Sequence, residues 1–120
     1  MADYQLGIIE KQFAEIIWNN EPISTKELVK KSEDQFKWKK STTYTVLKRL
    51  CEKGIFKNDN GTVMSVISKE EFYSLKSEAF IDETFNGSLP AFLAAFTKNK
   101  SLTNEEVKFL KEMINNFKEE

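Results

Sequence analysis

A chain of 120 residues that is 40% apolar, with ten phenylalanines and two tryptophans, can build one compact core, or a small domain plus an appendage, without disulfides. It has no histidine and a single cysteine, Cys51, which excludes Ser-His-Asp and Cys-His nucleophile pairs, imidazole metal sites and an internal disulfide, and fits a reducing cytoplasm. The net charge of −1 conceals an asymmetry: residues 37 to 57 set Lys37, Lys39, Lys40, Lys48, Arg49, Lys53 and Lys57 against Glu52 alone, a net of +6, while residues 68 to 120 set seven lysines against ten acids, a net of −3. A basic block inside a near-neutral chain is the electrostatic footprint of a polyanion partner. No run of eighteen apolar residues and no basic-then-apolar leader is present, so neither membrane insertion nor a signal peptide is expected, and no cofactor either.

In chain order, Leu6, Ile9, Phe13, Ile16 and Ile17 recur at helical spacing and predict a first amphipathic helix, flanked by Trp18 and ending at Asn19-Asn20-Glu21-Pro22. Trp18 is expected in the core. Ser24-Thr25-Lys26-Glu27 reads as a capping box that opens a short second helix, with Leu28 and Val29 inward and Lys26, Lys30 and Lys31 outward. Ile23 is expected in a brief strand or as a hydrophobic staple. The second helix is predicted to fade in Ser32-Glu33-Asp34-Gln35, after which Phe36 and Trp38 pin the approach to a third.

That third helix is expected between Ser41 as N-cap and Gly54 just past its end. Thr43, Val46, Leu47 and Leu50 make its inward stripe, while Ser41, Thr42, Thr45, Lys48, Arg49 and Glu52 make an outer face that is small and hydroxylated at first, then cationic. Small residues permit close approach to base edges and cations neutralise phosphate, so such a helix suits a major groove; a solvated amphipathic helix would show the same pattern. Two helices, a short connection and a basic-faced helix is a helix-turn-helix order. Asn60-Gly61 between Ile55-Phe56-Lys57 and Val63-Met64-Ser65-Val66-Ile67 then predicts a β-hairpin with a type I′ turn, in the position of a wing, with Lys57 and Asn60 near phosphate or simply covering the core.

Ser68-Lys69-Glu70-Glu71 is a second capping box, opening a long helix with Phe72, Leu75 and Ala79 that Asn86-Gly87 stops. Ser88 caps the next helix, with Pro90 at its first positions and an apolar face of Leu89, Phe92, Leu93 and Phe96. Thr103 to Glu106 is a third capping box, followed by Val107, Leu110, Met113 or Ile114, and Phe117. Three helices of about fifty residues are marginal alone. The economical expectation is that they pair with a second copy, through Phe85, Leu89, Phe92, Leu93, Phe96, Val107, Leu110, Ile114 and Phe117. The expected architecture is therefore mainly α with a small β-hairpin wing: a winged helix-turn-helix domain over residues 1–68 and a helical dimerisation domain over residues 69–120.

Several words in this order resemble the BlaI/MecI penicillinase-repressor family of winged-helix regulators: Ile16-Ile17-Trp18; Trp38 followed by Thr42 through Thr45-Val46-Leu47-Lys48-Arg49-Leu50-Cys51-Glu52-Lys53-Gly54; Phe85-Asn86-Gly87-Ser88-Leu89; Phe92-Leu93-Ala94-Ala95-Phe96; and Leu102-Thr103 with Glu105-Glu106. The resemblance implies a cytoplasmic homodimer that binds a palindromic operator in double-stranded DNA and blocks transcription, often of resistance genes. It also implies induction by a membrane sensor protease acting in trans, cutting a bond that aligns with Ala95-Phe96; plain core is the other reading of that pair. Thr42, Thr45 and Tyr44 are expected at base edges, with Lys39, Lys40, Ser41, Lys48 and Arg49 on phosphate. Three features depart from the family pattern. There is no Pro near Lys40, and Tyr44 stands where a long polar residue is common, which leaves base preference there open. Ser65-Val66-Ile67 replaces a Tyr-rich strand, and the paired cysteines of the copper-responsive branch are absent, so metal induction of that kind is not expected. A reading from another class is a winged-helix module whose basic face meets an acidic protein, without sequence-specific DNA binding. A carboxylate-based hydrolase finds no paired acids in a pocket-like context.

Overall fold

The computed structural model describes residues 5–117. The elements run α1 (Ile8–Asn20), β1 (Ile23–Ser24), α2 (Thr25–Phe36), α3 (Lys40–Glu52), β2 (Phe56–Asp59), β3 (Thr62–Ser65), α4 (Lys69–Phe85), α5 (Leu89–Thr97) and α6 (Asn104–Asn116). The three strands form one antiparallel sheet in the order β1-β3-β2. Ile23 pairs with Val63 and Phe56 with Ser65, so the two-residue β1 becomes the third strand of the wing. The expected I′ turn forms, because Asn60 and Gly61 both take positive φ (52° and 90°), which a glycine tolerates without a Cβ clash. The Asn58 side-chain oxygen accepts the Gly61 N–H at 2.9 Å and holds the turn closed.

The chain divides into two compact units, one ending at Glu78 and one beginning at Ala79. The division falls ten residues beyond Ser68 because the first turns of α4 belong to the N-terminal core, where Phe72 is fully buried. That core joins Phe13, Ile17, Ile23, Leu28, Leu47, Leu50, Ile55, Phe56 and Val63. Trp18 stands half-buried at its edge with ring centroids 5.2 Å from Phe56 and 5.3 Å from Phe72, and its indole N–H donates to the Ile67 carbonyl at 3.2 Å. A tryptophan with its ring in the core and its N–H satisfied is a stable use of an amphipathic residue.

Local expectations fail at three points. Ile9 is not core but 47% exposed, because Ala14 rather than Ile9 completes the α1 stripe. The second helix does not fade at Ser32, which is fully buried; it runs to Phe36 and ends where Lys37 takes φ 61° and donates its N–H to the Glu33 carbonyl. Ser41 is not the N-cap of α3. Lys39 holds the extended cap position without a side-chain hydrogen bond, and Ser41 lies in the first turn, exposed. Three further caps form through hydroxyls: Ser24 accepts from Glu27 N–H, Ser68 from Glu71 N–H and Ser88 from Ala91 N–H, each at 3.1 Å. Thr103 and Glu106 complete a reciprocal box at 2.9 and 3.1 Å.

In the second unit, Phe80, Phe85, Phe92 and Phe96 form an aromatic cluster with centroid separations of 5.6–6.1 Å. No described residue of this unit is buried. In the single chain Leu89, Ala95, Phe96, Ile114 and Phe117 lie exposed, and Phe85, Phe92, Leu93, Val107 and Leu110 half-buried. Met113, the alternative to Ile114 in the predicted series, is 55% exposed, and Phe109, outside that series, is 63% exposed.

Candidate nucleic-acid interface

The α3 helix is held by one side only. Thr43, Val46, Leu47 and Leu50 are buried, at the positions their spacing predicts, and Lys40, Ser41, Thr42, Tyr44, Thr45, Lys48, Arg49 and Glu52 are exposed. Both ends are fixed independently of that stripe. Before the helix, Trp38 packs on Phe36 (centroids 4.6 Å apart) and on Phe13 (5.5 Å). After it, Gly54 at φ 84° lets the Ile55 N–H reach the Leu50 carbonyl (3.2 Å) while its own N–H reaches that of Cys51 (3.0 Å). That pair is a Schellman closure, and its accompanying apolar contact is Leu50 with Ile55, both fully buried.

Because successive helical residues turn by about 100°, the outer face resolves into three lines. Ser41, Thr45, Lys48 and Glu52 run along its crest, opposite the buried stripe. Thr42 and Arg49 share one flank, and Lys40 and Tyr44 the other, with the Lys40 ammonium 5.9 Å from the Tyr44 ring centroid. The Thr45 hydroxyl donates to the Ser41 carbonyl at 2.9 Å, which leaves its lone pairs and its methyl outward. Lys39, Lys57 and Asn60 are also exposed, the last two on the wing rather than on α3.

The predicted cations are not equivalent. Arg49 Nη1 bonds Glu10 Oε2 at 3.1 Å, and Lys53 donates to the Gln5 main-chain carbonyl. No ion pair is described for Lys39, Lys40, Lys48 or Lys57. Glu10 and Glu21 were invisible to pattern reasoning. The Glu21 carboxylate accepts the N–H and hydroxyl of Ser65 at 2.9 and 2.7 Å, joining the end of α1 to the wing across 44 residues of sequence. Nothing in local spacing marks either partner. Cys51 is half-buried beside Leu50, where burial pushes its thiol up, Glu52 adding to this and the Asn58 main chain opposing it. It remains a protonated core-edge residue at neutral pH. Among the described residues no cluster of side chains suits a metal ion, and no helix is long and apolar enough to cross a membrane.

A helix-turn-helix with its second helix anchored by an apolar back, followed by a closed β-hairpin, is the winged helix-turn-helix architecture of transcription regulators. The chain belongs to the penicillinase repressor family, whose pattern it matches over residues 6–116. It is 26% identical over 118 residues to the penicillinase repressor of Bacillus licheniformis, covering 95% of this chain and 92% of that one. It is 24% identical to the methicillin resistance regulatory protein MecI of Staphylococcus aureus (93% and 94% covered) and 25% identical to the penicillinase repressor of the same species (92% and 91%). The family is one of transcriptional repressors, not enzymes.

Proposed function

We propose that this chain acts as a homodimer that represses transcription by laying α3 of each copy into the major groove of a palindromic operator. The observation that carries the reading is the one-sided anchoring of α3, which leaves a small, hydroxylated and cationic crest facing outward. Thr42, Thr45 and Tyr44 approach base edges, while Lys39, Lys40, Ser41, Lys48 and Arg49 meet phosphate, and Lys57 and Asn60 bring the wing to the backbone. Support for the second copy is the C-terminal unit, whose apolar face of Leu89, Phe96, Ile114 and Phe117 is exposed in a single chain. Two linked half-sites raise the affinity of each weak module by effective concentration. Sedimentation of the full chain, with footprinting on the DNA upstream of its own gene, tests both halves. A dimer protecting two half-sites about one or a few helical turns apart is expected. A monomer indifferent to that DNA would favour the protein-interaction module.

The same reading extends to induction. The Ala95-Phe96 bond lies in the last turns of α5, exposed in the single chain, so a membrane sensor protease acting in trans reaches it once those turns unwind and part from the second copy. Cutting there removes half of the Phe92–Phe96 contact (5.9 Å) and, with it, the second half-site. Appearance of a fragment ending at Ala95 in cells exposed to the inducing antibiotic, absent in the Phe96→Ala variant, is the expected result.

A further inference from the structure

The pairing of Arg49 with Glu10 has a role in DNA recognition that depends on the operator reading above. Glu10 lies in the first turn of α1 and uses both carboxylate oxygens. Oε1 accepts the Gly7 main-chain N–H at 3.0 Å, and Oε2 accepts Arg49 Nη1 at 3.1 Å from across the fold. Its side chain is 19% exposed, against 53% for Arg49. The main chain therefore fixes the carboxylate, and the carboxylate fixes the guanidinium. The Gly7 N–H first, then Arg49 and Lys53 against the cost of burial, hold the Glu10 carboxyl below its ordinary range, so it stays charged at neutral pH.

Arg49 is the flank partner of Thr42, two turns along the same side of α3. A free arginine must give up rotamer freedom when it binds phosphate. One already held by a single N–H gives up less, and the planar fork still has donors on its other edge. A bare lysine such as Lys48 has no such restraint described for it and contributes charge without register. We propose that Glu10 is a positioning residue for Arg49, setting the guanidinium at one place on the flank of α3 so that it meets one phosphate in one register and sharpens preference for the operator over random DNA.

The test is a double-mutant cycle on the full-length protein with Glu10→Gln and Arg49→Gln. The probes are the duplex that the wild type selects from a random-sequence pool and a random duplex of equal length. Glutamine keeps an amide oxygen for the Gly7 N–H and turns its NH2 toward Arg49, so the α1 cap survives while the restraint is lost. Removing a negative charge near the duplex strengthens non-specific binding, whereas losing the restraint weakens specific binding. The expected result is a selected-duplex affinity about three- to tenfold lower, the scale of one immobilised side chain, with random-duplex affinity unchanged or higher. In the Arg49→Gln background, Glu10→Gln should leave the ratio of the two affinities unmoved. Equal tightening on both duplexes, or the same change of ratio with and without Arg49, would make Glu10 a bulk charge and overturn the inference. A wild type that ranks no duplex above random sinks the operator reading itself. A clear wild-type preference with an unaltered Glu10→Gln ratio sinks this inference alone.

Discussion

The two halves of this chain are both helical and both rich in phenylalanine, yet only one of them closes on itself. Every buried apolar residue described lies between Phe13 and Phe72. From Ala79 onward the helices are equally well capped, and Phe80, Phe85, Phe92 and Phe96 touch one another, but none of the described residues there is fully buried. The difference is one of layering. Sheet, α1, α2 and α3 enclose a volume from several sides, whereas the helices after Ala79 leave every described side chain at least partly open to water. Capping and patterning thus make a helix, and enclosure makes a core.

The largest expected effect separates the halves directly. Phe13→Ala should cost about 3–5 kcal/mol in denaturant unfolding, independent of protein concentration, because its site is fully enclosed. Ile114→Asp, at a position 69% exposed in the single chain, should leave that unfolding unchanged while abolishing the dimer in sedimentation. It should also lower operator affinity by about a hundredfold or more. A dimer that survives Ile114→Asp would break the comparison. On the crest of α3, Thr45→Ala should relax discrimination by about 1–3 kcal/mol per base pair affected, read as the ratio of operator to single-substituted duplex. Lys48→Ala should instead weaken binding on every sequence and reduce the magnitude of the salt slope by about 0.9; an unchanged slope assigns Lys48 to solvent. The smallest effect is acid sensitivity. Because the folded Glu10 titrates lower than the unfolded one, its stabilisation is present at pH values above the ordinary glutamate range and is lost as pH falls through the folded value. Glu10→Gln should flatten that part of the stability profile.

How much of this was legible beforehand depended on the range of the interaction. The inward stripe of α3 was readable to the residue, since the 3.6-residue period decides which side chains share a face. The Asn60-Gly61 turn, the Ser88 cap and the Thr103 box were readable because each is settled within four residues. Serine favours a cap wherever one is free, yet Ser41 is not the cap, because the chain enters α3 a fraction of a turn earlier, at Lys39, pinned by Trp38 against Phe13 and Phe36. Ile9 departs from the expectation because the buried side of α1 is shared by Phe13, Ala14, Ile16 and Ile17, which leaves Ile9 at its edge, 47% exposed.

The sequence by itself therefore determined the succession of helices and hairpin, the side of α3 that turns inward and the basic character of the side that does not, because period, cap and turn chemistry act between near neighbours. Tertiary structure alone decided that α4 begins inside the first unit, that β1 completes the wing, and that Glu10 takes hold of Arg49 and Glu21 of Ser65. Those pairings join residues 39 and 44 positions apart, and only the packing of α1 against the rest of its unit brings them within hydrogen-bond reach.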